Sequence, residues 1–403
     1  VTESAPETVT LALDAVLAAA QAKAGLRDFG DDSFFEPLQA LLQSLDEEAN
    51  LSPIGRIGQY TRIVDLLVNR LRVEYWLQRH PEILDEPIAP PVVIVGLMRT
   101  GTTLLHRLMA CDKRFYAPLW YQTRYPAPLP DSLHDSLHDS LQDHDFDHDD
   151  VRIALAQTEV RQMLEASPDL ASIHPLEACA ADEDVMLLEH SFYSTVPEAF
   201  ANLPSYARWL EQHDNTPGYR YLRRLLQCLQ WQNKRAGHNA DRWLLKTPHH
   251  LHHLEILLEI FPGATVIQTH RDPLQTVPSL CSMNYALACM GSDNVDAHTI
   301  GRHWCDKFAR SLKQSLQVRA RHPQHFIDVQ YTETASDAMA TVSRIYAQLG
   351  IDLDEQTQAA MRRWLQANRR EDRNPHHYTL QQFGFTRAGL EHDFADYRET
   401  FLK

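Results

Sequence analysis

The sequence predicts an α/β fold, a mostly parallel sheet flanked by helices and preceded by a helical cap. Three observations predict it. Short apolar runs at Val92–Val95, Trp243–Leu245, Ala264–Gln268 and Phe326–Val329 read as buried strands. Segments with helical periodicity at 151–166, 218–236, 251–260, 297–321 and 338–349 separate or follow them, the alternation expected of a parallel sheet. The first run also opens, through a glycine-containing turn, into an amphipathic helix.

In chain order, residues 8–26 and 34–49 carry apolar side chains at three- and four-residue spacing, the mark of helices with one buried face. Gly30 with Asp31, Asp32 and Ser33 supplies the turn and an N-cap between them. A third helix is predicted from about 55 to 80, ending at Pro81, because the stretch to Pro90–Pro91 cannot stay helical. The division predicted is a helical region at 1–88 packed on an α/β domain at 89–403. Within the latter, residues 131–150 (DSLHDSLHDSLQDHDFDHDD) repeat with period four, setting Leu133, Leu137 and Leu141 on one helical face. This insert reads as an acidic, solvated helix start and loop; its Asp/His spacing fixes no metal geometry.

Composition narrows the function classes. With 54 acidic against 38 basic residues and a net charge of −16, the chain lacks the basic surface that non-specific nucleic-acid binding needs. A small anion remains feasible, because a few arginines and a helix N-terminus make a local positive site. The six cysteines show no CxxC pairing, which favours a reducing compartment. No run reaches the about 18 apolar residues of a membrane span, and no basic-then-apolar leader stands at the start. The expectation is a cytoplasmic protein with no integral membrane segment.

The strongest motif follows the first strand: Gly96-Leu-Met-Arg99-Thr100-Gly101-Thr102-Thr103-Leu104, a G-x-x-x-x-G-T-T frame between an apolar strand and an amphipathic helix bearing Leu104, Leu105, Leu108 and Met109. This is the context of a phosphate loop, in which backbone N–H groups and the helix dipole converge on an anion. The fold expected is therefore P-loop NTPase-like. The lysine of nucleotide triphosphatases would stand at Thr102 and is absent, while Arg99 lies inside the loop. That suits an anion better than a triphosphate with its metal. A second anion site is suggested by His270-Arg271-Asp272-Pro273 after the third apolar run, with Ser279 eight residues past the arginine. A guanidinium and a hydroxyl together fork a phosphate monoester.

These motifs jointly resemble the superfamily of sulfotransferases that use 3′-phosphoadenosine-5′-phosphosulfate (PAPS), in a bacterial branch, over roughly residues 25–400. Gly96–Thr103 resembles the family's 5′-phosphosulfate loop, and Arg271 with Ser279 resembles its 3′-phosphate site. Lys246-Thr-Pro-His-His-Leu, ahead of the F-P-G-A-x-V-I-x-x-x-R-D-P segment, is also shared. The resemblance implies in-line attack of an acceptor hydroxyl, or a similar nucleophile of a small molecule or lipid, on the sulfur of PAPS. The adenosine bisphosphate PAP is released, and no metal is required. Arg99 and the N–H groups from Gly101 to Leu104 would hold the sulfuryl oxygens.

In the family, a lysine at the place of Lys246 contacts the transferring group, and cytosolic members keep a histidine base two residues later. Here Pro248 occupies that place, so His249 and His250 are alternative bases. Glu183 and Glu189 are acidic substitutes, since carboxylates serve as base in other branches. Tyr331 resembles the tyrosine beside the adenine. Asn374–Tyr378 through Phe383-Gly384 resembles a segment near the active site, without the Arg-Lys-Gly contact of cytosolic members. Trp120, Tyr121, Arg124 and Tyr125 would begin the acceptor pocket. Two rivals share the strand, loop and helix: a P-loop kinase-like phosphotransferase using ATP–Mg²⁺, and a non-catalytic nucleotide-binding protein.

Overall fold

The computed structural model describes residues 9–129, 150–166, 176–368 and 378–402. The chain begins with three helices, α1 (Leu13–Ala24), α2 (Phe35–Glu47) and α3 (Pro53–Arg79). Ser52 caps α3 by accepting from Gly55 N, with Pro53 at the first helical position, where its missing N–H costs nothing. Asp31 caps the short 3₁₀ turn that leads into α2. Val16, Phe34, Leu38, Leu41, Leu67 and Leu71 share a core with Phe192 and Tyr206 from later in the chain. The last turns of α3, through Val73, Trp76 and Leu77, belong instead to the main core. Arg70 is fully buried between the rings of Phe34 and Tyr221, 4.3 and 4.1 Å away, and donates to Phe29 O at 2.7 Å.

Five strands, β1 (Val92–Gly96), β2 (Phe115–Tyr116), β3 (Arg242–Lys246), β4 (Thr265–His270) and β5 (Phe326–Gln330), form one sheet in the order β2-β3-β1-β4-β5. Every pairing is parallel. All residues of β1 are buried, and each Val or Ile contributes about 1.5–3 kcal/mol by leaving water. Val93, Val95, Leu245 and Val266 face a core shared with the Thr216–Arg235 and Ala297–Arg321 helices. Val92, Ile94, Leu244 and Ile267 face α4 (Thr102–Met109) and the Ala338–Leu349 helix.

The four sequence-predicted strands lie within a residue or two of the expected runs. The two-residue β2 was not expected, being too short for any pattern. The 251–260 helix divides into a 3₁₀ segment at Pro248–His252 and a helix at Leu254–Ile260. A helix over Pro273–Cys289 carries Pro278 inside it, and that proline hid it from sequence reading. Among the described residues no helix is long and apolar enough to cross a membrane. The insert lies outside the described residues through position 149, as do Asn374–His377.

Candidate active site

Strand order reverses beside β1: β3 lies on one side, β4 on the other. Open α/β sheets bind ligands in the crevice at such a point, beyond the carboxyl ends of the strands. The register carries the chosen residues there together. Ile94 pairs with Lys246, Gly96 with Thr269 and His270 with Gln330. Arg99, Lys246, Arg271 and Tyr331 therefore all stand at or just past a strand's carboxyl end.

The loop after β1 is held from within. Thr100 is buried, and its hydroxyl donates to Leu97 O at 2.6 Å and meets Thr269 Oγ1 at 2.6 Å. A Cβ on Gly96 would lie 2.2 Å from Thr269 Oγ1, so only glycine lets loop and strand approach this closely. Arg99 and Gly101 take left-handed backbone, φ 68° and 86°, which turns successive N–H groups toward one concavity. No side chain caps α4, so its first N–H groups and dipole face the crevice. A Cβ at Gly101 would also come within 3.3 Å of the Tyr331 ring. Thr102 is buried, and Thr103 and Leu104 are half-buried in the first turn.

Lys246 ends β3 and is 1% exposed. Its Nζ donates to Glu183 Oε1 at 2.5 Å and to Thr103 Oγ1 at 3.3 Å. Asp184, fully buried, accepts from Lys246 N at 2.8 Å, and its other oxygen meets His250 Nε2 at 2.7 Å. The remaining His250 nitrogen meets the Tyr219 hydroxyl at 2.8 Å, so both ring nitrogens are engaged inside the protein. Burial pushes the Asp184 carboxyl up. His250 and the Lys246 N–H together outweigh that and hold it below its usual value.

His249 Nδ1 meets Thr195 Oγ1 at 3.2 Å, while its Nε2 is buried without a protein partner. Burial, reinforced by His253, His250, His252 and Lys307, drives this imidazole well below its ordinary value and keeps it neutral. Glu189, the other acidic candidate, points elsewhere: it is buried against Arg62 of α3 at 2.5 Å.

At the other end of the crevice, Arg271 donates through Nη1 to Arg99 O at 2.8 Å and through Nε to Gln275 Oε1 at 3.1 Å. Its guanidinium lies 4.0 Å over the Tyr331 ring. The phosphate loop, the arginine and the tyrosine are thus one contiguous surface. Asp272 caps the next helix by accepting from Leu274 N, and Pro273 opens it, so the Arg-Asp-Pro motif divides into an arginine at the strand's carboxyl end and a helix start. Ser279, nearly buried, lies two turns along that helix. His270 is a packing residue, bonded to Tyr397 and Asp328 and stacked on Phe401.

The model of the sulfotransferase family matches residues 90–355, well over half of the chain. The protein belongs to the sulfotransferase family. Curated relatives in Mycobacterium bovis and Mycobacterium tuberculosis, both named omega-hydroxy-beta-dihydromenaquinone-9 sulfotransferase Stf3, are 27% identical over 307 residues, 73% of this chain and 71% of theirs. Two crystal structures share the fold. Sulfotransferase STF9 from Mycobacterium avium is 29% identical with a TM-score of 0.84, covering 99% of this chain and 98% of its own. Sulfotransferase STF1 from Mycobacterium tuberculosis H37Rv is 29% identical with a TM-score of 0.81, covering 97% of this chain and 100% of its own.

As a sulfotransferase it moves a sulfuryl group from PAPS to an acceptor, and the residues fit that co-substrate. An uncapped helix N-terminus behind a left-handed loop suits the phosphosulfate, and an arginine stacked on a tyrosine suits the 3′-phosphate end. Among the described residues no group of three or more His, Cys, Asp or Glu is arranged around a metal position. Of the expected acceptor-pocket residues, Trp120 is buried, and Arg124 and Tyr125 are both tied to Glu159. Tyr121 is half-buried, with its ring under Arg152. Tyr378 donates to Gln275 O at 3.1 Å, beside Arg271's own partner. Sequence reading missed Asp184 and Thr269, and it did not rank Glu183 above Glu189.

Proposed function

We propose that this sulfotransferase sulfates the hydroxyl of a hydrophobic, lipid-like alcohol in the cytoplasm, with Lys246 on the transferring group and Glu183 as base. The observation that carries the site assignment is the Lys246 ammonium between Glu183 Oε1 and Thr103 Oγ1, at 2.5 and 3.3 Å. It sets a cation and a carboxylate at the N-terminus where the phosphosulfate binds. The acceptor class draws support from the curated relatives named for a hydroxylated dihydromenaquinone. The helical region up to residue 88 is read as a cap on the 89–403 domain, tied to it through the Arg62–Glu189 pair.

In this reading the N–H groups from Gly101 to Leu104, with Arg99, hold the phosphosulfate, and the Thr100 hydroxyl supports the turn. Arg271 and Ser279 take the 3′-phosphate, and Tyr331 borders the adenine. The acceptor oxygen forms a bond to sulfur as the bond from sulfur to the bridging oxygen breaks, and PAP departs with the electron pair. Lys246 neutralises charge developing on the sulfuryl and bridging oxygens. The acceptor proton passes to Glu183, because His250 has both nitrogens engaged and His249 is enclosed. The two histidines then support the site from behind.

Turnover of labelled PAPS with long-chain isoprenoid alcohols, against phenols and sugars, tests the acceptor class. Preference for the apolar alcohols is expected, and preference for a sugar overturns it. Lys246→Ala should lose turnover while keeping much of its PAP affinity; loss of both together would contradict the role given to the lysine.

A further inference from the structure

We infer that the Lys246–Glu183 pair is a latch worked by the nucleotide: the carboxylate is released to take the acceptor proton only once the phosphosulfate has drawn the lysine away. The inference rests on the reading of Glu183 as the base. Lys246 Nζ spans two groups, Glu183 Oε1 at 2.5 Å on one side and Thr103 Oγ1 at 3.3 Å on the other. Thr103 belongs to the first turn of α4, where the anion is received, so the ammonium already points along the line from base to nucleotide.

The two partners are not equally mobile. The stretch carrying Glu183 is fastened to the end of β3 through its neighbour Asp184, which is clamped by Lys246 N and His250, while Glu183 N donates to the adjacent Asp182 Oδ1 at 2.7 Å. The carboxylate thus sits on a fixed stretch of backbone, while the ammonium rides on a flexible four-carbon stem. At 1% exposure the lysine has little water to replace a lost counter-ion, so two anions compete for one cation. Without nucleotide the carboxylate holds the ammonium and is a poor proton acceptor. With PAPS bound, the sulfuryl group takes over the ammonium, and Glu183 turns to the acceptor hydroxyl. Productive binding is therefore ordered, nucleotide first.

The test is calorimetric titration of PAPS, without acceptor, into the wild type, Glu183→Gln and the double variant Glu183→Gln/Lys246→Met, alongside PAPS turnover with acceptor. Glu183→Gln should bind PAPS about tenfold tighter, because Lys246 has lost its internal counter-ion and is free for the sulfuryl group. The double variant should lose that gain. Turnover of Glu183→Gln should fall by about a hundredfold or more, and added formate should restore part of it in Glu183→Ala. PAPS binding in Glu183→Gln no tighter than wild type overturns the latch, whatever turnover does. Tighter PAPS binding with undiminished turnover overturns the base assignment instead, and with it the latch's purpose. If thermal melting shows that the glutamine variant fails to fold, Glu183→Asp, which withdraws the carboxylate by one methylene, should show the same two changes in weaker form; neither change in a folded Glu183→Asp overturns the latch.

Discussion

Replacing Arg271 with alanine removes two things at once, and the structure separates their sizes. Nη1 anchors the loop through Arg99 O at 2.8 Å, and the guanidinium lies 4.0 Å over Tyr331. Losing the anchor should weaken every ligand of the loop by about 1 kcal/mol, roughly fivefold. Losing the charged partner of a 3′-phosphate should cost a further about 1.5–3 kcal/mol, roughly 10- to 150-fold, felt only by ligands carrying that phosphate. Calorimetric titration with PAP and with adenosine 5′-phosphosulfate, which lacks the 3′-phosphate, reads both terms. The ratio of the two affinities should collapse in the variant. Equal weakening of both ligands would refute the 3′-phosphate subsite and leave Arg271 as a loop anchor alone.

Other residues give sharper tests of the fold around the site. Thr100→Val removes a hydroxyl bonded to Leu97 O and Thr269 Oγ1; it should cost about 1–3 kcal/mol in denaturant unfolding and loosen PAP binding, and unchanged values of both would contradict the peg. Glu198 is buried against Lys307 at 2.7 Å and His303 at 2.8 Å. Glu198→Gln should cost about 3–5 kcal/mol in the same assay by leaving the lysine unpaired, with a smaller loss when Lys307→Met is added. Stability should also fall in mild acid. Burial lowers His106 and His253 to about 3 and His190 to about 4, so these rings stay neutral in the fold while the unfolded chain takes up protons below about pH 6.5. Their stabilisation is complete above that pH and declines by about 1.4 kcal/mol per pH unit per histidine as pH falls toward 4. Calorimetric melting temperatures that stay flat from neutrality to about pH 5 would contradict this.

The features legible in the sequence are those written locally. Val92–Val95 has no polar residue, so it has one stable place, the sheet centre, and the glycine turn after it falls at the strands' carboxyl edge. The position of Arg271 at the same edge was readable because it directly follows a strand. What escaped was set by contacts distant in sequence. Glu183 meets Lys246 only because its neighbour Asp184 docks on the end of β3, and before folding nothing distinguishes it from Glu189, which turns to Arg62 instead. His249 and His250 looked alike as neighbours; the fold gives one Thr195 and the other Asp184 and Tyr219. The threonine peg was hidden for a similar reason. The Thr100 hydroxyl looks like a phosphate ligand in the motif, yet its partner Thr269 lies on another strand.

Calorimetric titration of the purified protein with PAP, with ATP–Mg²⁺ as the control, tests the nucleotide assignment most directly. Tight PAP binding and weak ATP binding are expected, since the loop lacks the triphosphatase lysine and Arg271 with Tyr331 is proposed to receive a 3′-phosphate. Well-folded protein that ignores PAP and binds ATP–Mg²⁺ tightly would contradict it.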